Sequence, residues 1–263
     1  MLTATPVFEN LSEIEHRLAG RKPVVFLDYD GTLTEIVQHP QDADLSGVRR
    51  AVVEALAKVA PVAVISGRDR RDVAARVGLA RLIYAGSHGF DIAGPDGALE
   101  FEVGGGYSAV VASAARDLHQ RLDPVAGAII EAKKYSVAVH YRLVQPEDIP
   151  AVEQAVQAVL ARFSDLTVTP GKKVFELRPR VDWNKGRAVT WLLLALHLEG
   201  PEVLPIFIGD DVTDEDAFRA VQARGFGVLV ATEPRETVAA YRLRDPAEVE
   251  AFLRWLTERL MLN

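Results

Sequence analysis

The chain has 263 residues, enough for one large domain or for a domain that carries an inserted second one. Its formal net charge of -7 argues against non-specific binding of nucleic acid or of an anionic membrane surface. The sequence contains no cysteine, which excludes disulfides, thiolate catalysis and zinc bound by cysteine. The N-terminus lacks the basic and then apolar pattern of a signal peptide, and we expect a cytoplasmic protein.

Strand-like and helix-like segments alternate in the first third of the chain. Short apolar runs at 24–27, 62–65 and 82–85 are typical of buried strands, and 45–60 and 70–77 have helical character. This alternation predicts a parallel sheet with helices on both faces.

The pattern changes after residue 103. Gly104–Gly106 is typical of a linker, and the strands expected beyond it are joined by short turns, as in an antiparallel sheet. The expected elements of this segment are helices over 108–122 and 149–162 and strands over 129–132, 136–142, 167–169 and 174–177.

The first pattern returns after residue 180. The expected elements here are helices over 185–198, 214–222 and 246–260 and strands over 204–208 and 226–230. The simplest fold is a doubly wound, Rossmann-like α/β core made of 1–103 and 181–263, interrupted by an α/β cap over 104–180.

The most informative motif lies where the apolar run 24–27 stops at Asp28 and Asp30. Residues i and i+2 of a strand point the same way, so both carboxylates can face one point in space. Paired carboxylates require a cation or a shared proton. This pair suits a Mg²⁺ site in which one carboxylate attacks and the other moves protons. The alternative is a β-hairpin, since Asp-Gly between apolar runs is a common hairpin turn.

Polar residues also follow three further expected strands. These segments are Ser66-Gly67-Arg68, Gly86–Gly89 and Gly209-Asp210-Asp211. Ligands of open parallel sheets bind beyond the carboxyl ends of the strands, so these residues are expected to meet at one site. Each segment alone could be a capped turn, but their shared position favours a site.

Two positions suit a phosphate group. Ser66 and the backbone N–H groups that begin the next helix can cradle phosphate, although Ser66 or Asp69 could instead be a plain N-cap. Lys185 begins a helix, where a cation opposes the helix dipole, and this placement points to neutralisation of phosphate. The alternative for Lys185 is a solvated surface side chain.

Residues 209–216 hold five acids in eight residues. Capping of the following helix accounts for the acids at 214–216. It does not require Asp210 and Asp211 directly after an apolar strand, and hard oxygen ligands for Mg²⁺ explain these two better.

Together these motifs resemble the four signatures of the haloacid dehalogenase superfamily of phosphatases, namely Asp-Tyr-Asp-Gly-Thr (28–32), Ser66, Lys185 and Gly209-Asp210-Asp211-x-x-Asp214. The extended motifs at 28–33, 66–68 and 209–218 resemble the trehalose-6-phosphate phosphatase family, as do 131–133, 140–142 and 175–179 in the insert. The resemblance spans the whole core. It implies Mg²⁺-dependent hydrolysis of trehalose 6-phosphate through an aspartyl-phosphate, as a step of trehalose biosynthesis.

The resemblance implies roles for the core residues. Asp28 is expected to attack phosphorus, and Asp30 to protonate the leaving sugar oxygen and then to take a proton from water. Ser66 and Lys185 are expected to hold the phosphate oxygens, with Thr32 fixing the loop. The implied ligands of Mg²⁺ are Asp28, Asp30 through its backbone carbonyl, Asp210, and either Asp211 or Asp214.

The resemblance also implies which residues contact the substrate. The residues expected near the glucose hydroxyls are Glu131, Lys133 and Glu176, with Arg142 and Lys172 as weaker candidates. Four core residues are also expected to bind the substrate, namely Thr32, Gly67, Arg68 and His88, of which Arg68 and His88 lie at strand ends that are expected to face the cap. Glu131 and Lys133 could instead be a surface pair on one strand face, and His140 a core or interface residue. The cap is expected to open and close, with hinges at 104–106 and 178–184.

Other interpretations remain. The chemistry would be unchanged for a phosphatase of sucrose 6-phosphate or glucosyl-3-phosphoglycerate. A phosphosugar mutase would return the phosphate to another hydroxyl, and a sugar-phosphate sensor would need no nucleophile. We expect a small-molecule substrate, no nucleic-acid or membrane partner, and a monomer.

Overall fold

A computed structural model describes residues 4–37, 39–103, 105–171 and 173–262. The chain divides into two compact units, one made of 1–101 and 183–263 and the other of 102–182. These bounds differ by two residues at each junction from those expected. The role of the second unit as a cap stays a prediction.

Strands and helices are numbered in chain order. The strands are β1 (Thr5–Pro6), β2 (Lys22–Leu27), β3 (Val62–Ile65), β4 (Ile83–Gly86), β5 (Asp91–Ala93), β6 (Glu100–Glu102), β7 (Ile129–Ala132), β8 (Val137–His140), β9 (Leu166–Gly171), β10 (Val174–Pro179), β11 (Val203–Gly209), β12 (Phe226–Val230) and β13 (Tyr241–Leu243). The α-helices are α1 (Leu11–Leu18), α2 (Gly47–Leu56), α3 (Arg70–Val77), α4 (Ser108–Leu122), α5 (Ile149–Arg162), α6 (Lys185–Ala195), α7 (Glu215–Gln222) and α8 (Pro246–Leu262). None of the described helices is long and apolar enough to cross a lipid bilayer.

The first unit is built on one sheet with the strand order β1-β13-β12-β11-β2-β3-β4-β5-β6. The pairs from β1 through to β4 are parallel, and β5 turns back antiparallel to β4. Val25 and Leu27 of β2 pack on one side with α1, α2, α3 and α8, whereas Val24 and Phe26 pack on the other with α6 and α7. Alternate side chains of a strand face opposite sides, so both faces are covered. The predicted doubly wound α/β core is confirmed.

The second unit has a four-stranded antiparallel sheet in the order β7-β8-β10-β9. Its core joins Val137 and Val139 of β8 to the apolar sides of α4 and α5. Both helices contribute to this one core, which leaves the opposite face of the sheet for polar side chains. An antiparallel sheet with two helices is the arrangement that the sequence predicts.

Some elements differ from the sequence predictions. The short elements β1, α1, β5, β6 and β13 were not predicted, because each offers too few buried positions to show a period; α1 buries only Ile14 and Leu18. Helix α2 ends at Leu56 and the chain continues in turns to residue 60. Helix α6 ends at Ala195 because His197 adopts a left-handed backbone with φ of 56°.

Candidate active site

Asp28 lies at the point where the strand order of the sheet reverses. The chain leaves β2 towards β3 on one side and later returns to β11 on the other. Asp28 follows β2 directly, its backbone N–H donates to the carbonyl of Ile208 at 2.9 Å, and its side chain is buried. Ligands of doubly wound sheets bind at this reversal, beyond the carboxyl ends of the strands. The hairpin alternative is excluded, because β2 pairs in parallel on both sides.

Gly31 lets the loop after β2 approach the loop after β11. Its φ is +76°, and a Cβ atom there would lie 2.1 Å from Oδ2 of Asp210. Only glycine combines this conformation with the missing side chain. The Asp-Gly step therefore brings Asp28 and Asp210 together.

Lys185 is buried between two carboxylates. It begins α6, only 2% of its surface is exposed, and its Nζ lies 3.0 Å from Oδ1 of Asp28 and 2.6 Å from Oδ1 of Asp214. Despite burial, the charges of Asp214 and Asp28 raise the pKa of Lys185 above its usual value. The side chain is therefore an ammonium ion, and the alternative of a solvated surface lysine is wrong.

Three carboxylates form one acidic cluster. One oxygen each from Asp28, Asp210 and Asp214 can be chosen so that all lie within 4.8 Å of one another. Burial raises the pKa of Asp28 well above its usual range against the effect of Lys185, and Asp214 and Asp210 add to the rise. Burial and the charge of Asp214 raise the pKa of Asp210 to about 7. One ammonium cannot balance three carboxylates, so hard oxygen ligands and excess negative charge fit a divalent cation.

Asp211 differs from its neighbour Asp210. It is exposed, and its carboxylate accepts from the backbone N–H of Val212 at 2.7 Å and from Oγ1 of Thr213 at 3.2 Å. The structure makes Asp211 the N-cap of a short 3₁₀ turn over Val212–Asp214. Capping does require Asp211, contrary to the expectation from the sequence, because this turn begins before α7. The carboxylate that completes the acidic cluster is that of Asp214.

The loops after β3 and β4 are joined by backbone hydrogen bonds. The N–H of His88 donates to the carbonyl of Ser66 at 2.8 Å, and that of Ser87 to the carbonyl of Arg68 at 2.7 Å. Ser87 and His88 both have positive φ, 49° and 59°. A Cβ atom on Gly67 would lie 2.9 Å from the His88 ring, so a side chain there would displace that ring. These bonds hold the predicted phosphate loop and His88 side by side.

Ser66 is buried and does not cap α3. Its Oγ accepts from the backbone N–H of Arg68 at 3.1 Å, whereas the N-cap position of α3 is occupied by Asp69. Thr32 is also buried, and its Oγ1 has no hydrogen-bond partner among the residues that the structure describes. A buried hydroxyl without a partner is costly, which suggests a ligand or water for Thr32.

Asp30 is paired with Arg68. The guanidinium donates from Nε to Oδ2 of Asp30 at 2.7 Å and from Nη2 to Oδ1 at 2.6 Å. The sequence predicts that Arg68 lies near the substrate but gives no sign of this pair, since the partners are 38 residues apart.

In the second unit, the residues predicted to bind the sugar lie on the face of the sheet opposite α4 and α5. His140 Nε2 lies 3.0 Å from Oε2 of Glu131, and Lys133 Nζ lies 3.5 Å from Oε1 of Glu176, which also accepts from Oγ of Ser136 at 2.8 Å. The hydrogen bond with His140 lowers the pKa of Glu131 against burial. We call these five residues the polar face of the insert.

Two weaker candidates lie outside this group. Arg142 follows β8 by two residues and is exposed. Lys172 lies outside the described residues, as does Gly104 of the expected hinge.

The sequence is similar to known phosphatases over most of its length. The family model described as trehalose-phosphatase matches residues 26–247. The chain belongs to the trehalose-phosphatase family. A probable trehalose-phosphate phosphatase 2 of Oryza sativa is 42% identical over 271 residues, which cover 94% of this chain and 71% of that protein.

Solved structures of other proteins are similar in fold to this phosphatase. The C-terminal domain of a Candida albicans trehalose-6-phosphate phosphatase has a TM-score of 0.82 at 23% identity, covering 98% of this chain and 99% of that one. A haloacid dehalogenase-like hydrolase from Bacteroides thetaiotaomicron has a TM-score of 0.63 at 18% identity, covering 90% and 100%. The chain is a phosphatase with the haloacid dehalogenase fold.

Arg235 of the phosphatase is a site residue that the sequence did not predict. Its Nη2 donates to the backbone carbonyls of Asp210 and Asp211 at 3.3 and 3.2 Å, and its Nη1 pairs with Glu215 at 2.8 Å. The other oxygen of Glu215 accepts from the N–H of Val238 at 3.0 Å. Arg235 thus ties the loop after β12 to the acidic loop. No local pattern marks it, because it lies 25 residues from Asp210 in the sequence.

Proposed function

We propose that this phosphatase hydrolyses trehalose 6-phosphate to trehalose and phosphate, with Asp28 as the nucleophile. The observation that carries the proposal is the buried Asp28 carboxylate at the strand-order reversal, in contact with Lys185. A nucleophile must be ionised to attack. The adjacent ammonium favours the ionised form against the cost of burial.

In the proposed reaction, an oxygen of Asp28 forms a bond to phosphorus and the bond from phosphorus to the sugar oxygen breaks. Asp30 donates a proton to that sugar oxygen, and trehalose leaves. Asp30 then takes a proton from water, which attacks the aspartyl-phosphate and releases phosphate. Ser66 and Lys185 hold the phosphate oxygens, and the joined loops at Gly67 and His88 shape the phosphate end of the site.

We propose Mg²⁺ as the divalent cation of the acidic cluster. The residues that would hold it are Asp28, Asp210 and Asp214 through their carboxylates and Asp30 through its backbone carbonyl, with Asp211 as the alternative to Asp214. All are oxygen donors, which is the ligand type that Mg²⁺ prefers. When bound, the ion neutralises negative charge on the phosphate and orients it.

Removal of the metal should therefore lower stability as well as activity. At Mg²⁺ concentrations about 100 times its dissociation constant, we expect the ion to stabilise the fold by about 2.7 kcal/mol. Thermal unfolding with Mg²⁺ and with EDTA measures this shift. Asp210→Asn should reduce the shift, and an equal shift in both proteins would contradict the assignment of Asp210.

For the sugar, we propose that the polar face of the insert binds glucose hydroxyls through Glu131, Lys133 and Glu176, with Arg142 and Lys172 as weaker candidates. Supporting this, ammonium, imidazole, hydroxyl and carboxylate groups converge on one face of β7, β8 and β10. Such a group supplies both donors and acceptors, as sugar hydroxyls require.

Lys133→Ala should lower kcat/KM for trehalose 6-phosphate by roughly 10- to 150-fold, because a charged hydrogen bond contributes roughly 1.5–3 kcal/mol. It should leave p-nitrophenyl phosphate nearly unaffected. Lys134→Ala, at the next and more exposed position, serves as the matched control. Equal losses of Lys133→Ala on both substrates would remove Lys133 from the sugar site.

The decisive experiment is phosphate release from trehalose 6-phosphate, beside sucrose 6-phosphate and glucosyl-3-phosphoglycerate, with Mg²⁺ and with EDTA. Preference for trehalose 6-phosphate that is lost with EDTA supports the proposal. Release mainly from another ester would change the substrate but keep the core chemistry. No release from any ester would favour a mutase or a sensor.

A further inference from the structure

Arg68 holds both oxygens of Asp30. The contacts of 2.7 and 2.6 Å form a two-pronged pair, which fixes the plane of a carboxylate as well as its position. Each carboxylate oxygen has two lone pairs, so the pair leaves room at each oxygen for a proton or a water. Arg68 therefore orients Asp30 without preventing proton transfer.

Arg68 is itself held on two further sides. Its Nη1 donates to Oδ2 of Asp72 at 3.1 Å, one turn along α3. Its guanidinium carbon lies 5.4 Å from the ring centroid of Tyr29, which is fully buried and donates its hydroxyl to the carbonyl of Ala43 at 2.7 Å. The ring beside it and the second carboxylate limit the orientations of the guanidinium.

The network continues beyond Asp72. Its Oδ1 accepts from Nε of Arg76 at 2.9 Å, and Arg76 Nη1 lies 3.1 Å from Oδ1 of Asp44. The side chains of this network thus alternate in charge across α3, in the order Asp30, Arg68, Asp72, Arg76 and Asp44. Networks of this kind hold geometry better than isolated surface pairs do.

We propose that Arg68, oriented by Asp72, is the positioning residue for Asp30 and not a ligand of the sugar. The proposal rests on the acid–base role of Asp30 in the proposed function. The Arg68 side chain is 10% exposed, which leaves little of its surface for a hydroxyl. Its hydrogen bonds to Asp30 and Asp72 instead set the direction in which Asp30 presents its oxygens. Orienting a catalytic group before the substrate arrives lowers the barrier.

A series of sugar-free phosphate monoesters tests this role. p-Nitrophenolate is a stable anion that leaves without a proton, whereas an alkoxide needs a proton from Asp30 as it leaves. kcat/KM reports only the steps up to release of the alcohol, so the series isolates proton donation. The variants are Arg68→Ala, Arg68→Lys, Asp72→Asn and Asp30→Asn, with Arg71→Ala as the matched control, since Arg71 is an exposed arginine of the same helix.

Arg68→Ala should lower kcat/KM for an alkyl phosphate by about 100-fold and that for p-nitrophenyl phosphate by less than about threefold. Arg68→Lys should not restore the loss, because an ammonium lacks the planar fork. Asp72→Asn should show the same selectivity, with a loss of about tenfold. The loss should fall on kcat with KM little changed, and Arg71→Ala should behave as wild type. Arg68→Ala should add little in an Asp30→Asn background.

Several outcomes would overturn the proposal. Equal losses of Arg68→Ala on all esters, or a loss seen only as a higher KM for trehalose 6-phosphate, would exclude a positioning role. If Asp30→Asn is selective for alkyl esters while Arg68→Ala and Asp72→Asn are not, only this inference fails. If Asp30→Asn itself shows no selectivity, the acid–base role of Asp30 fails and the inference fails with it. Asp72→Asn alters a half-exposed side chain, so it decides the question even if Arg68→Ala does not fold.

Discussion

Asp28→Asn should reduce hydrolysis of trehalose 6-phosphate by roughly 10⁴-fold or more, the scale on which removal of a nucleophile acts in other enzymes. An amide does not form the covalent phosphoenzyme, and Asp28 is the carboxylate that directly follows β2 and contacts Lys185. Steady-state phosphate release measures the loss. Asp96→Asn is the matched control, since Asp96 is an exposed turn residue.

The same substitution separates catalysis from folding. Burial and two neighbouring carboxylates raise the pKa of Asp28, so its ionised form is costly in the metal-free protein. The metal-free Asp28→Asn variant should therefore unfold at a temperature no lower than wild type, while its stabilisation by Mg²⁺ should shrink. Retained activity in a metal-replete assay would exclude the aspartyl-phosphate mechanism.

The core of the site could be predicted because its signals are local. An apolar run followed by Asp28, Asp30 and Gly31 defines a strand end, a sharp turn and two carboxylates within four residues. The rule that ligands bind beyond the carboxyl ends of parallel strands then brings distant strand ends together without further information. The strand order and the burial of Lys185 agree with that argument.

The parts that escaped prediction depend on contacts between distant residues. The pair of Arg68 with Asp30 and the bonds from Arg235 to Asp210 join loops that are far apart in the sequence. Asp211 was misjudged for a different reason. Its capping role depends on a single 3₁₀ turn that no hydrophobic period reveals.

In the insert, strand alternation was informative but incomplete. Alternate residues of a strand face the same side, which predicts that Glu131 and Lys133 share one face. In the structure the neighbouring Ile130 packs against the core on the other face. The alternation could not show that His140 belongs to the face of Glu131 as its partner, because a period within one strand does not give the register between two strands. The register between β7 and β8 supplies what the sequence lacked.

Lys185→Met should destabilise the metal-free protein by about 3–5 kcal/mol, which is the usual cost of removing one partner from a buried ion pair. Methionine keeps most of the aliphatic chain, so a cavity is not the cause. The variant leaves Asp28, Asp210 and Asp214 close together without a cation. Urea unfolding in EDTA measures the loss, and Mg²⁺ should recover part of it, because the ion supplies the missing positive charge.

The loss caused by Lys185→Met should also depend on pH. Burial raises the pKa of Asp210 to about 7, and a carboxyl group whose pKa is raised on folding contributes stability that is lost as pH rises through that value. Removal of Lys185 strengthens this effect, so the deficit in EDTA should be larger at about pH 8 than at about pH 6. Lys58→Met is the matched control, since Lys58 is an exposed residue that faces Glu54 at 3.8 Å, and it should change stability by less than about 0.5 kcal/mol. A deficit for Lys185→Met that is small and independent of pH would mean that the three carboxylates do not need the buried ammonium.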